Sequence, residues 1–302
     1  MQIVRDIRAD GDARGASAAI GNFDGVHLGH RTIIERARRD AALGVVTFEP
    51  HPRQFFAPDG PPFRLMNAAA RASRLERLGV DILYELPFER IAPMPAEVFA
   101  RDVLADGLGL GHATVGADFH FGKGRDGSAA TLVDLGRRFG FGVTVAELVR
   151  LDGEISSTRI REALSAGEPA EAARLLGHLH RIEGEVLHGE KRGRALGYPT
   201  ANLGLEGLHL PRFGVYAVRA TVLDGPHAGD HGGVASLGVR PMFGQNAPNF
   251  EVHLFDFAGD IYGANLSVAL VEFLRPEQSF EGAEALIRQM DSDSARAREI
   301  LS

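Results

Sequence analysis

Two histidines three positions apart close the run Gly21-Asn22-Phe23-Asp24-Gly25-Val26-His27-Leu28-Gly29-His30. Gly21 and Gly25 let backbone approach a ligand closely. An apolar run over 16–20 precedes them and a helical pattern follows, so the imidazoles stand where a helix begins. Free N–H groups and the helix dipole favour anions there. Two imidazoles in such a place can stabilise charge that builds on a transferring phosphate. The same spacing suits two metal ligands, or a plain helix cap. The chain has no cysteine to complete a zinc site. No Gly-x-x-x-x-Gly-Lys-Ser/Thr loop is present, so this is not a Walker ATPase. The run Gly107-Leu108-Gly109-Leu110-Gly111 looks like a dinucleotide fingerprint, but it follows a helix and precedes a strand. That order is reversed, and the run reads as a connection.

A second cluster is Ile155-Ser156-Ser157-Thr158-Arg159-Ile160-Arg161. Ser and Thr suit a helix N-cap, and the hydroxyls, free amides and Arg161 together could cradle phosphate. A third is Gly189-Glu190-Lys191-Arg192-Gly193-Arg194-Ala195-Leu196-Gly197, running into Tyr198-Pro199-Thr200-Ala201-Asn202. A glycine-punctuated basic loop can fold over phosphates, or be an ordinary hairpin. If the chain is extended there, Thr200 and Asn202 point to one side and could share Mg²⁺. A fourth is Glu251-Val252-His253-Leu254-Phe255-Asp256-Phe257. Period two puts Glu251, His253, Phe255 and Phe257 on one face. A carboxylate among aromatic rings has a raised pKa and serves as a general base, and aromatic walls suit a flat heterocycle. A solvent-facing Glu on a barrel rim is the plainer alternative.

The elements that must hold these groups follow from periodicity. Strands are expected over 16–20, 44–48, 80–86, 112–116 and 143–149. Helices are expected over 31–43, ended by Gly44, and over 68–78, 95–106, 132–138, 158–166 and 169–176. Alternation of this kind means a doubly wound parallel sheet, and its ligands bind at the carboxyl ends of the strands. Beyond residue 178 the texture changes. Strands over 181–186, 214–223, 233–239, 250–257 and 266–274, with no helices between them, indicate a closed antiparallel barrel. An amphipathic helix over 281–301 ends the chain.

The 302 residues carry a net charge of −7. Residues 1–178 hold 22 basic against 24 acidic groups, and 179–302 hold 11 against 16. Neither part has the basic excess of a nucleic-acid binder. The two lysines, Lys123 and Lys191, both sit in glycine-rich loops. With no cysteine there are no disulfides and no thiolate chemistry. The start of the chain lacks an apolar signal segment, and no run approaches the ~18 apolar residues of a membrane span. A cytoplasmic location is expected, with neither membrane nor nucleic-acid partners.

The first two clusters together resemble the nucleotidyltransferase superfamily, with its His-x-Gly-His signature and Ile-Ser-Ser-x-x-x-Arg partner. Phe48-Glu49-Pro50-His51-Pro52, Gly116-Ala117-Asp118-Phe119-His120-Phe121-Gly122 and Lys123-Gly124-Arg125-Asp126-Gly127 narrow the match. They are similar to the adenylyltransferase domain of bacterial bifunctional riboflavin kinase/FAD synthetases. That domain joins FMN to the AMP part of ATP and releases pyrophosphate. The third and fourth clusters, with Gly214-Val215-Tyr216, Ile261-Tyr262-Gly263 and Phe273-Leu274-Arg275, resemble the riboflavin kinase domain of the same family.

The resemblance implies an α/β chain of two domains. A Rossmann-like nucleotidyltransferase domain with a parallel sheet would span 1–178. An antiparallel barrel of riboflavin kinase type, with a terminal helix, would span 179–302. It implies His27, His30 and Arg161 as groups acting on the adenylyl transfer. Gly21, Asn22, Phe23, Asp24, Gly25, Ser156, Ser157 and Thr158 would bind its nucleotide, and Asp118, Phe119 and Phe121 the flavin. In the barrel, Gly193, Arg194, Gly197, Pro199, Thr200 and Asn202 would bind ATP. Thr200 and Asn202 would also hold Mg²⁺, and Glu251 would be the base. ATP, riboflavin, FMN and FAD are then the small-molecule partners. Two positions depart from the family pattern, His120 where Arg is common and Met242 in Arg240-Pro241-Met242-Phe243-Gly244 where a Thr is. Two competing readings stand beside this one. One is a nucleotidyltransferase with another phosphorylated acceptor and an accessory barrel. The other makes the barrel a binding module, against which its acidic charge and lack of Trp argue.

Overall fold

A computed structural model describes residues 1–147, 149–188, 197–239 and 248–302. Contacts divide the chain into two compact units, Met1–Pro61 with Arg71–Ser156, and Pro62–Ala70 with Ser157–Ser302.

The first unit opens with β1 (Gln2–Val4), β2 (Ser17–Ile20), α1 (Leu28–Ala37), β3 (Leu43–Glu49), α2 (Pro52–Phe56), α3 (Ala68–Arg77) and β4 (Ile82–Pro87). It continues with α4 (Phe88–Ile91) and α5 (Ala96–Val98), which runs on into π-helical turns over Phe99–Ala105, and then β5 (His112–Gly116). A small hairpin of β6 (His120–Phe121) and β7 (Gly127–Ser128) leads to α6 (Ala129–Phe139) and β8 (Gly142–Ala146). Among the described residues the main sheet has six strands in the order β1-β4-β3-β2-β5-β8. Every pairing in it is parallel. Near-continuous apolar runs such as Val45-Val46 and Ile82-Leu83 fill its centre, as a sheet covered on both faces requires. From β2 the chain winds outward through β3 and β4, then crosses back to β5 on the other flank of β2. That reversal makes a crevice at the carboxyl end of β2, where the 21–30 loop leaves the sheet.

Two expectations are corrected here. The first helix begins at Leu28 rather than at 31, and ends at Ala37 rather than at 43. Arg38 leaves the helix with ψ 125°, and its guanidinium bonds Leu78 O at 2.6 Å. Gly44 is therefore not a helix terminator. It lies inside β3, where an added Cβ would stand 3.0 Å from Ala18 Cβ and 3.0 Å from the Tyr84 ring. The 107–111 run is the connection expected. Gly109 takes φ +61° there, and the segment sits at the amino end of β5, away from the ligand edge.

The second unit contains α7 (Ser157–Ala166), α8 (Pro169–Leu176) and the strands β9 (Arg181–Leu187), β10 (Ala201–Leu203), β11 (Gly214–Val222), β12 (Gly229–Val239), β13 (Pro248–Leu254) and β14 (Asn265–Arg275). The strands close into an antiparallel barrel in the order β10-β13-β12-β11-β14-β9. Alternate residues point inward, among them Tyr216, Val218, Phe250, Val252, Val268 and Leu270. The final helix, α9 (Ala283–Leu301), packs on the outside against β11, β12 and β14.

His180, just before β9, is buried, and its Nε2 makes no hydrogen bond. Burial, reinforced by the charges of His178 and His209, pushes its pKa from 6.5 down to about 3. The native ring thus stays neutral where the unfolded one takes a proton. Stability from this group is whole above pH 6.5 and is lost as pH falls toward 3, at most ~1.4 kcal/mol per unit. Thermal melts between pH 7 and 5 should show this loss, and the His180→Leu variant should flatten it.

Candidate active sites

The loop after β2 is built under backbone constraint. Gly21 N–H donates to Val46 O at 3.1 Å, and the Thr47 hydroxyl donates to Asn22 O at 3.1 Å, which ties the loop to β3. Phe23 and Val26 take φ +51° and +44°, and Gly25 takes +86°. A β-branched residue at positive φ is strained, and such strain collects where a loop must hold a shape for function. Phe23, Asp24 and Val26 are buried.

His27 is the N-cap of α1. Its Nδ1 accepts from the His30 N–H at 3.3 Å. A neutral His27 therefore carries its proton on Nε2. The rings of His27 and His30 stack with centroids 3.6 Å apart. Gly29 makes the stack feasible, since a Cβ there would lie 3.1 Å from the His27 ring. His30 Nδ1 is buried without a partner. Burial, and secondarily the charge of His27, hold the His30 imidazole well below its ordinary pKa of 6.5.

Aromatic rings continue at this end of the sheet. Phe119 and Phe121 stack at 5.4 Å, Phe121 meets Phe99, and Phe99 meets Phe48. From Phe48 the contacts run to Phe88 and on to Phe55 and Phe56. Phe56 is 71% exposed, and Asp118 is exposed at the turn before Phe119. The Phe55–Phe56–Phe88 group was not among the sequence candidates. Its signal was the pair of adjacent aromatics just after the His51-Pro52 motif. His120 has its Nδ1–H on Asp118 O at 2.9 Å, with the ring in solvent.

Beside this edge lies a second unforeseen feature. Arg71 is 1% exposed and donates from one nitrogen, Nη2, to Glu49 at 2.9 Å and to Glu85 at 2.8 Å. Arg5 reaches Glu85 from outside at 3.1 Å. Glu49 and Glu85 stand at the carboxyl ends of β3 and β4.

Ser156 is the last residue of the first unit, while Ser157, Thr158 and Arg161 open α7 in the second. Arg161 Nε donates to Phe63 O at 2.7 Å. On the barrel, Asn202 of β10 pairs directly with Glu251 of β13, which pairs on its other side with Ser236 of β12. These three side chains share the outer face, because their neighbours Ala201, Leu203, Phe250, Val252, Ala235 and Leu237 point inward. Asn202 and Glu251 are half-buried. A cavity of about 310 Å³ is lined by Pro199, Thr200, Val252, Phe257, Ile261 and Tyr262, and its strand residues Ala201, Val252 and Leu254 belong to the inward face.

The expected face of Glu251 needs one correction. β13 ends at Leu254, and Asp256 takes φ +54°. Phe255 stays outside against Ala217 and Ala297, under α9. Phe257 is turned inward to the interior cluster and the cavity, so it does not share the face of Glu251. Gly197 takes φ +81°. Lys191, Gly193, Arg194 and Met242 lie outside the described residues.

The FAD synthetase family model matches residues 9–159, and the riboflavin kinase family model matches 176–301. A bifunctional riboflavin kinase/FMN adenylyltransferase from Pseudomonas fluorescens is 45% identical, covering 99% of this chain and 97% of its own. The chain belongs to the bifunctional riboflavin kinase/FMN adenylyltransferase family. The family member from Escherichia coli K12 is 38% identical over 99% of this chain and 97% of its own length. A crystal structure described as a macrolide-efflux protein from Streptococcus pneumoniae is 32% identical. It superposes with a TM-score of 0.80 over 98% of this chain and 99% of that one. Efflux is the description of that protein. Among the described residues here, no helix is long and apolar enough to cross a membrane.

Proposed function

We propose a residue-level account of an enzyme that makes FMN from riboflavin and FAD from FMN. The chain is a riboflavin kinase in its C-terminal part and an FMN adenylyltransferase in its N-terminal part. The observation that carries this is the pair of family matches, one for each activity. We set the functional boundary between residues 178 and 179. By contact alone, α7, α8 and residues 62–70 group with the barrel.

In the adenylyl transfer, an FMN phosphate oxygen attacks the α-phosphorus of ATP. A new P–O bond forms as the bond to pyrophosphate breaks, and no protein nucleophile is needed. His27 presents Nε2–H to the phosphate. His30, whose buried Nδ1 has no protein partner, is assigned to the same phosphate, where negative charge builds in the transfer. We assign Gly21, Asn22, Phe23, Asp24 and Gly25 to the nucleotide. Ser156, Ser157, Thr158 and Arg161 are assigned to the ATP phosphates. The flavin ring is assigned to Asp118, Phe119, Phe121 and the open Phe55–Phe56 surface. The His30→Ala variant should lower FMN-to-FAD conversion about a hundredfold while leaving riboflavin phosphorylation unchanged. Steady-state rates of each half-reaction check this.

In the kinase, Glu251 takes the proton of the ribityl hydroxyl. The resulting oxygen attacks the γ-phosphorus and ADP leaves. We assign the ATP base to the cavity lined by Phe257 and Tyr262, and its phosphates to Gly193, Arg194, Gly197, Pro199 and Thr200. The donors Thr200 and Asn202 are hard oxygens, which suits Mg²⁺, an ion that binds few protein ligands and keeps substrate phosphates as the rest. Bound there, Mg²⁺ would neutralise phosphate charge. We place the enzyme in the cytoplasm, with ATP, riboflavin, FMN and FAD as its partners.

The test is direct. The pure protein is incubated with riboflavin, ATP and Mg²⁺, and the flavins are resolved by chromatography. FMN followed by FAD is expected. Neither product would overturn the account. FMN alone would favour a different phosphorylated acceptor for the first unit.

A further inference from the structure

His253 stands two positions beyond Glu251 on the same outer face of β13. β10 and β13 pair antiparallel through Leu203↔Phe250, Asn202↔Glu251 and Ala201↔Val252, and the paired register stops there. Continuing it one step puts Thr200 opposite His253. In place of a backbone pairing at that step, the His253 Nδ1–H donates to Pro199 O at 2.9 Å. A carbonyl can only accept, so this ring's proton is on Nδ1.

The anchor is itself held. The Tyr198 ring packs on His253 with centroids 4.8 Å apart, and the Tyr198 hydroxyl donates to Asp291 of α9. Arg298 of the same helix grips Asp256 with two bonds of 2.7 and 2.9 Å and lies 4.2 Å over the Phe255 ring. Asp256 is the residue whose positive φ turns Phe257 into the cavity. Thr200 lies in coil, one residue before β10 begins, so its own strand does not fix it. A hydroxyl that must hold a phosphate-bound cation needs its backbone fixed to a few tenths of an ångström, and a neighbouring side chain supplies that here.

We propose that His253 is a positioning residue of the kinase site, fixing the Pro199–Thr200 peptide so that Thr200 meets the ATP phosphates. The proposal rests on the assignment of Thr200 to ATP made above. Three readouts test it on the full-length enzyme: KM for ATP and kcat in riboflavin phosphorylation, and FMN-to-FAD conversion.

His253→Leu keeps bulk but removes the donor, and should raise KM for ATP about three- to tenfold with a smaller change in kcat. His253→Asn, whose amide nitrogen can occupy the place of Nδ1, should restore most of that loss. FMN-to-FAD conversion should be unchanged in both. A wild-type KM in the Leu variant would overturn the proposal. So would equal losses in the Leu and Asn variants, which would mean ring packing alone. Thr200→Val separates the role of Thr200 from that of His253. If it leaves KM for ATP unchanged, the Thr200 assignment itself fails. If it raises KM while His253→Leu does not, only the role of His253 fails.

Discussion

The Glu251→Gln enzyme should lose riboflavin phosphorylation by a factor of about a hundred to ten thousand and keep its FMN-to-FAD conversion. Gln is nearly the same size and still hydrogen-bonds, so β13 and its pairing with Asn202 and Ser236 should survive. What the substitution removes is the basic oxygen. The ribityl hydroxyl must shed a proton as it attacks, and among the described residues Glu251 is the only carboxylate on β10, β12 or β13 that stands directly opposite Asn202. Its setting differs from the aromatic one the alternation pattern implied. Asn202 and Ser236 flank it across the ladder and His253 follows two residues on, so its strand neighbours on that face are polar, and Phe257 is turned away from it. Chromatography from riboflavin should show starting material only, and from FMN should show FAD. Equal loss of both reactions would refute a two-site enzyme.

The Arg71→Leu variant should destabilise the first unit by about 3–5 kcal/mol, the usual cost of removing one partner from a buried ion pair. Arg71 is nearly inaccessible and neutralises two carboxylates at once, one of them, on Glu85, 5% exposed at its side chain. Leucine fills the space but leaves those charges facing each other, with Arg5 remaining on Glu85. The double variant Arg71→Leu/Glu85→Gln should recover part of the loss, because one buried charge is then gone. Chemical denaturation followed by far-UV circular dichroism measures both. A change below about 1 kcal/mol in the single variant would show that the network is not an essential support of the β3 and β4 ends.

Much of this arrangement was readable in the residues, and the exceptions share a cause. The parallel sheet was legible because its strands are continuous apolar runs between helical periods. The barrel was legible because its longer strands alternate. The histidine pair was legible because a glycine, a cap and two imidazoles are all local. β1 and β10 were not, since three residues carry too little pattern. The end of β13 was missed because period two continues through Phe255 and Phe257 while the backbone does not. Arg71, Phe56 and His253 take their meaning from partners distant in sequence, such as Glu49, Phe88 and Pro199. Periodicity reports which face a residue occupies, but not what the fold brings to that face.

The allocation of residues 62–70 has a consequence for synthesis. The chain passes between its units three times, at 61/62, 70/71 and 156/157. The first unit has all its residues once 156 has left the ribosome. The nine residues 62–70 then still wait for partners. Asn67 needs the carbonyl of Glu183, and Arg64 needs Gly207 and His209. A nascent chain must therefore carry Arg64 and Asn67 without these partners through the translation of more than a hundred codons beyond each, and an enzyme that reads as two modules in order is completed out of order.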